Sequence, residues 1–502
     1  MNYQQVKYGA ILSYILVFLN MIYGLFITPF LITHLGTDEY GLYKLTSSIG
    51  SSLLVLNLGI GSTVQRYIAL YLAKGERKRI ENLVGMCAII TILLNIVIII
   101  VSICIIYVFP FFYANTLSAI QIDKATLILV ILMFQLLFVV FENLLSGVIM
   151  GFNNFIFLNI CKIFNLLLST GFIIIVIFFG GDSVSLALIT LIFSIILLVV
   201  EWIYINYYLN VKIHFDFWDK ELIREVWKYT LLMFCTAIAS QIFLNADIII
   251  IGAVLGAEIV TIYSVALHFF TVFQELSCCI SGVMLPTITN ALNENKGMEK
   301  VQRIVISAGR IQFAILGAAF AGIICIGDEF LTLWLGDEFK SIYIIIIILV
   351  GPSLFELCTN VCLSILRAEN KIAFRTYVMF ALAIMNVILT VLLVKYWSYM
   401  GAAIATSLSY IFSLIIMNTY YCKVIKLNII KIYKEIVKRI WLCIFLTSIC
   451  LFFFDKFIYG SWLGFIFKVC VFCIIYALLL LVYGLDKKEK KELLNFNNIF
   501  KV

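Results

Sequence analysis

Charge is scarce in this chain, and proline is scarcer. Charged residues fill 13% of the 502 positions, about half the share found in soluble domains, and only four prolines occur. The first shortage excludes a large water-exposed domain, and the second gives no signal for sharply broken helices. No Gly-x-x-x-x-Gly-Lys-[Ser/Thr] phosphate loop is present and no Gly-Lys pair occurs anywhere, so the chain does not read as an ATP hydrolase. Three histidines are too few and too scattered for a metal site; His34 and His268 each stand alone. The fourteen cysteines lie scattered in apolar runs, where they serve as small lipid-tolerant side chains. Cys470 and Cys473 match C-x-x-C, but in mid-span the match reads as coincidence.

What fills the chain is hydrocarbon. Hydrophobic residues reach 64% and mean hydropathy is +1.12. About fourteen apolar runs of spanning length follow one another, centred near Leu19, Leu58, Val97, Leu137, Ile174, Ser194, Ile242, Phe273, Ala318, Ile346, Met385, Tyr410, Ser448 and Tyr476. Continuous runs of this length exclude a β-barrel, whose strands alternate over about ten residues. The first run, from about Tyr8, is too long for a signal-peptide core and lacks a cleavage pattern behind it, so it reads as a retained span.

Fourteen crossings place both termini on one side. Alternate loops are rich in Lys and Arg, such as Lys74 to Arg79, then Lys212, Lys220, Arg224 and Lys228, then Arg367, Lys371 and Arg375, and Lys423 to Arg439. The other set holds little beyond Lys124, Lys340 and Lys456. By the positive-inside rule the termini are expected in the cytoplasm. The net charge of +7 is then mostly this topogenic bias, and no nucleic-acid partner is expected.

An internal repeat organises the runs. Leu35-Gly36-Thr37-Asp38-Glu39-Tyr40-Gly41-Leu42-Tyr43 returns as Leu255-Gly256-Ala257-Glu258-Ile259-Val260-Thr261-Ile262-Tyr263, each copy between two apolar runs. Gly151-Phe152-Asn153-Asn154 has a positional echo in Arg367-Ala368-Glu369-Asn370. Matched loops fall on one side, so the halves read as parallel repeats with a substrate path in the cleft between them. The expected organisation is all-α and polytopic: a six-helix lobe over 1–212, a second over 213–422, and two further helices with a tail over 423–502.

The stretches T-P-F-L-I-T-H-L-G-T-D-E-Y-G-L-Y-K-L (Thr28 to Leu45), N-L-G-I-G-S-T-V-Q-R-Y (Asn57 to Tyr67) and A-K-G-E (Ala73 to Glu76) carry a resemblance, as do N-A-D-I-I-I-I-G-A-V-L-G-A-E (Asn245 to Glu258), I-Y-S-V-A (Ile262 to Ala266) and L-P-T-I-T (Leu285 to Thr289). They resemble the polysaccharide-transporter family of oligosaccharide-lipid flippases, within the multidrug/oligosaccharide-lipid/polysaccharide exporter superfamily. The resemblance implies two six-helix lobes in a V around a central cavity, plus two C-terminal helices. It implies movement of undecaprenyl-pyrophosphate-linked glycans from the cytoplasmic to the outer leaflet of a bacterial cell membrane by alternating access. Membrane lipids, a glycan polymerase and glycosyltransferases are the partners it suggests. No cofactor is expected, and proton or sodium coupling is an expectation drawn from the intramembrane acids below.

Carrying a pyrophosphate through hydrocarbon requires a wet cationic lining, because an unpaired charge there costs several kcal/mol. Arg66, Lys44, Lys162 and Arg310 are the expected substrate-binding cations, Arg66 first because a guanidinium suits bidentate phosphate contact. The plainer reading is that they snorkel or pair with acids. Intramembrane acids include Glu142, Glu201, Asp247, Glu275 and Glu356; Asp247, Glu142 and Glu275 are the expected ion-coupling residues, Asp247 leading. Lys468 belongs to the last helix pair, outside the cleft. A cation-coupled multidrug antiporter and a peptidoglycan-precursor flippase are the rival transporters. A membrane glycan polymerase would need a large outer loop with catalytic groups, and the longest candidates offer none, so no enzyme is expected.

Overall fold

The computed structural model describes residues 3–57, 59–211, 220–292, 297–369, 371–455, 460–486 and 489–490. Every regular element among them is helical. That follows from the composition: in hydrocarbon each backbone N–H and C=O must be satisfied within the element, and these runs are too long and unalternating for strands. Lys212, the side chains of Lys7, Lys220, Arg224 and Lys228, and Asn370, Lys456, Lys487 and Lys488 lie outside the described residues.

Thirteen stretches among the described residues are long and apolar enough to cross a membrane. They comprise α1 (Tyr3–Leu35), a pair α2 (Thr37–Ser52) and α3 (Ile60–Lys74), α4 (Arg77–Tyr113), α5 (Ala119–Gly151), α6 (Phe155–Phe178), α7 (Ser183–Tyr204), α8 (Lys220–Leu255), α9 (Ala257–Leu292), α10 (Gly297–Leu335), α11 (Ile342–Cys358, followed by the short α12, Cys362–Ala368), α13 (Ile372–Lys423), α15 (Ile440–Asp455) and α16 (Trp462–Leu479). Within the 52 residues of α13, Trp397 and Ser398 leave helical geometry, Ser398 at φ 52°. This break falls at the expected joint between the runs centred on Met385 and Tyr410, so α13 holds two crossings. The chain is a multi-pass membrane protein with the fourteen apolar runs read from its sequence.

The second run is two helices, a break that the four prolines do not signal. After α2 the backbone tightens into a 3₁₀ turn over Leu53–Asn57, and Gly59 adopts a left-handed conformation (φ 64°) before α3 starts. Glycine and a 3₁₀ segment interrupt a span as effectively as proline does.

The chain divides into two compact units, Met1–Ser264 with Val387–Ala402, and Val265–Asn386 with Ala403–Val502. Within the first unit α8 packs along α2. Gly252 of α8 lets Leu45 approach so closely that a Cβ there would meet Leu45 Cδ1 at 2.6 Å. Ser51 Oγ donates to Asn245 Oδ1 across the same seam, at 3.3 Å.

Both copies of the repeat build one device, a helix ended by Leu, a glycine at positive φ, and a new helix. Gly36 sits at φ 86° and Gly256 at φ 89°. Leu335-Gly336 repeats the device once more, at φ 99°. The two copies also touch: a Cβ on Gly41 would lie 1.9 Å from the Ala257 carbonyl oxygen, and Thr261 Oγ1 donates to Thr37 O at 2.6 Å.

In the second unit a short helix escaped the span-by-span reading. In α14 (Ile429–Val437), Ile429, Ile432 and Ile436 are buried while Ile430 and Lys434 are exposed. Isoleucines at i, i+3 and i+7 make it an amphipathic helix lying against α10, not a spanning one.

Candidate functional site

Charged side chains inside long apolar helices must find partners or a wet surface, since hydrocarbon offers neither. The interrupted second span carries two of the expected cations, one on each side of its break. Lys44, half-buried in α2, has its ammonium 5.3 Å from the centroid of the Tyr40 ring, a cation–π contact. Arg66 is exposed on α3, six residues past its start, about 9 Å along the axis.

At one end of the first unit Glu39 joins α2 to α5 and α7. Lys124 Nζ lies 2.6 Å from Glu39 Oε1 and 3.0 Å from Asp182 Oδ2, and Ser183 Oγ donates to Glu39 Oε2. Lys124 is thus spent on two acids. Burial pushes the Asp182 carboxyl up, but the Ser185 N–H, the Lys124 ammonium and the Ser185 hydroxyl outweigh that and hold it below its ordinary value.

Two residues expected in different roles meet in this unit. Lys162 on α6 reaches Glu142 Oε1 on α5 at 3.3 Å. Ser146 Oγ, one turn further along α5, lies 2.9 Å from the same Glu142 oxygen and 3.0 Å from Glu201 Oε1 on α7. Glu201 is wholly buried, with Oε2 lacking any hydrogen-bond partner. Lys162 therefore answers an acid of its own unit. The sequence could not show this, because the three helices meet only in the fold.

Asp247 on α8 is buried between two hydroxyls. Tyr263 Oη donates to Oδ2 at 2.7 Å and Thr390 Oγ1 donates to Oδ1 at 2.8 Å. Tyr263 closes the second repeat copy, so the motif tyrosine itself holds the acid.

In the second unit Arg310, expected as a cavity cation, is instead buried and saturated. Its Nε and one Nη2 donor bind Glu489, Nη1 serves the carbonyls of Glu435 and Lys438, and Nη2 also reaches Gly484 O, at 2.6–3.2 Å throughout. All five N–H groups of the guanidinium are engaged in clamping α14 and the segment after α16 onto α10. Lys468 on α16 is buried against Glu329 of α10, and Gly460 N also donates to Glu329 at 3.1 Å. Glu275 is exposed on α9 and joins none of these groups.

A polar hollow in this unit was not singled out from sequence. It is lined by Glu356, Thr359, Asn360, Arg375, Asn418 and Tyr421 among others, and encloses about 20 Å³. That is room for one water-sized occupant and none for a sugar. Among the described residues no group of three or more His, Cys, Asp or Glu is placed to hold a metal ion.

Comparison with known proteins adds the following. The family described as "Polysaccharide biosynthesis protein" matches residues 6–292. Two similar proteins of Haloferax volcanii are described as "Probable low-salt glycan biosynthesis flippase Agl15", 22% identical over 37% of this chain and 39% of that one, and "Probable flippase AglR", 30% identical over 32% of this chain and 34% of that one. The matched stretch thus spans little more than a third of either relative. A solved structure titled "Lipid II flippase MurJ, inward closed conformation" superposes with a TM-score of 0.67 over 97% of this chain and 100% of that one, at 16% identity. At that identity the shared property is the fold.

Proposed function

The chain belongs to the family of polysaccharide biosynthesis proteins, whose match covers more than half of it, and from that premise we propose that it is a flippase for lipid-linked oligosaccharides. The proposed substrate is an undecaprenyl-pyrophosphate glycan, taken from the cytoplasmic leaflet and released in the outer leaflet by alternating access. The observation that carries this reading is the interrupted second span, with Lys44 before the break and Arg66 after it. Discontinuous spans expose helix termini at membrane depth, where the positive N-terminal end of a half-helix favours an anion. Arg66, about 1.7 turns beyond the start of α3, adds a fork-shaped donor for a phosphate, and Lys44 a second positive charge. A multidrug antiporter for organic cations would gain nothing from either.

Asp247 is the proposed coupling residue, for a proton or sodium ion. Its carboxyl oxygens accept from the Tyr263 and Thr390 hydroxyls, which a cation binding there would replace or join. The orientation proposed is the one that the basic loops dictate, with both termini in the cytoplasm of a bacterial cell.

Reconstitution in proteoliposomes with a labelled polyprenyl-pyrophosphate glycan tests the substrate assignment by its rate of leaflet exchange. Arg66→Ala is expected to slow exchange at least tenfold, and Lys44→Ala several-fold, the loss of one charge-assisted contact each. Unchanged exchange in both variants would reject the assigned residues. Exchange of a peptidoglycan precursor in place of the glycan would move the substrate class to the rival flippase.

A further inference from the structure

We infer that Glu201, Ser146 and Glu142 form a proton-binding relay inside the first unit, with Glu201 carrying the proton and Glu142 the negative charge. This goes beyond the transport reading, which uses neither Glu201 nor Ser146.

The argument is a count of hydrogens. Ser146 has one hydroxyl hydrogen, yet its oxygen lies 2.9 Å from Glu142 Oε1 and 3.0 Å from Glu201 Oε1. With both acids ionised, one of these contacts would press two lone pairs together without a hydrogen between them. A single proton on either acid supplies the missing hydrogen and turns both contacts into O–H···O bonds.

The surroundings decide which acid holds it. Glu142 Oε1 receives the Lys162 ammonium at 3.3 Å as well as the Ser146 hydroxyl, so the negative charge is favoured there. Glu201 is wholly buried and its Oε2 has no partner, the worst setting for a carboxylate and a tolerable one for a neutral acid. Other titratable groups lie on the elements packed here: on α3 Arg66 is exposed and Tyr67 and Tyr71 are buried, and on α4 Glu81 lies 4.0 Å from Arg77 and the Cys87 thiol is buried. On α6 the only further one near is the Cys161 thiol, and on α7 the Tyr204 ring stacks on Phe157 at 3.6 Å. On α2, Glu39 is held by Lys124 and Ser183 about 27 Å along α7 from Glu201, at 1.5 Å per residue, and Lys44 sits at the Tyr40 ring. Protonated Glu201, Ser146 and the Glu142–Lys162 pair sum to zero charge.

The same chain of bonds offers the proton a way out. Glu201 Oε1–H passes its hydrogen to Ser146 Oγ while Ser146 gives its own to Glu142 Oε1, so the O–H bond at Glu201 breaks, one forms at Glu142, and the serine, which loses one hydrogen and gains another, is restored. Glu142 and Lys162 retain 13% and 31% side-chain exposure, so the proton passes from a wholly buried acid to a pair that reaches the surface of the unit.

Infrared spectroscopy of the full chain in lipid, needing no substrate, tests the relay separately from the transport assignment. Wild type is expected to show a protonated-carboxyl C=O band at neutral pH that shifts in D₂O and loses intensity in Glu201→Gln. Because glutamine mimics the neutral acid, Glu201→Gln should keep the wild-type Tm, whereas Glu142→Gln strands the Lys162 ammonium and should lower it. Ser146→Ala should keep the band but shift its frequency and slow its response to a pH jump. An undiminished band in Glu201→Gln overturns the inference. So does a Glu201→Gln protein that unfolds or loses as much Tm as Glu142→Gln, since an ionised Glu201 would have been needed.

Discussion

Which charges lie inside spans is legible from the sequence, but which charge answers which is not. Glu142 and Lys162 sit on different helices twenty positions apart, and the periodicity of a helix predicts contacts only within it. Arg310 shows the same limit more sharply, since its carbonyl acceptors become available only once α14 has docked. The geometry makes Arg310→Lys a non-conservative change: one ammonium replaces five forked donors, and at least two buried acceptors are left bare. Faster tryptic cleavage within the segment Lys423 to Lys438 than in wild type is the expected readout, and an unchanged digestion pattern would contradict the clamp. For Lys468 and Glu329 a double-mutant cycle is the better measurement. Removing either partner alone leaves a buried charge, a loss of about 3–5 kcal/mol, while Lys468→Met with Glu329→Leu should recover most of the thermal stability. No recovery in the double variant would mean that the pair does not act as a unit.

Among the elements, span number and position were readable because apolar runs of about twenty residues have few alternatives. The break between α2 and α3 was not, because it rests on Gly59 at positive φ and a 3₁₀ turn, and glycine inside a span has no fixed meaning until its backbone angle is known. The amphipathic α14 lay hidden in a basic interlude whose lysines read as topogenic charge. At the start of α7, Asp182 accepts from Ser185 N at 3.1 Å and Ser185 returns the contact, a capping box. Asp182→Ala should lower stability by about 1 kcal/mol. The carboxyl is held below its ordinary value, so its contribution is full above pH of about 4 and fades as the pH falls through the lowered folded-state value. The Tm difference between wild type and Asp182→Asn should accordingly shrink on acidification, and a difference that grows would reverse the sign.

For the whole molecule the repeat was the most telling sequence feature, and the structure explains its residues one by one. Leu-Gly ends a helix, the glycine turns at positive φ, and the closing tyrosine of the second copy holds Asp247. Its first-copy counterpart, Tyr43, has no acid of matching position, so the two halves share a frame but differ in chemistry. That asymmetry places the coupling question on Asp247. Tyr263 and Thr390 both donate to its oxygens, so an ion entering must displace or join these two hydroxyls. Asp247→Asn keeps the size and one acceptor oxygen but removes the charge. In proteoliposomes it is expected to leave glycan exchange measurable while abolishing its acceleration by an imposed gradient. Applying a pH gradient at equal sodium, then a sodium gradient at equal pH, identifies the ion by which acceleration the wild type shows. Acceleration that persists in Asp247→Asn under both gradients would remove Asp247 from the coupling role, and persistence that ends only when Glu201→Gln is added would transfer that role to the relay on α5 and α7.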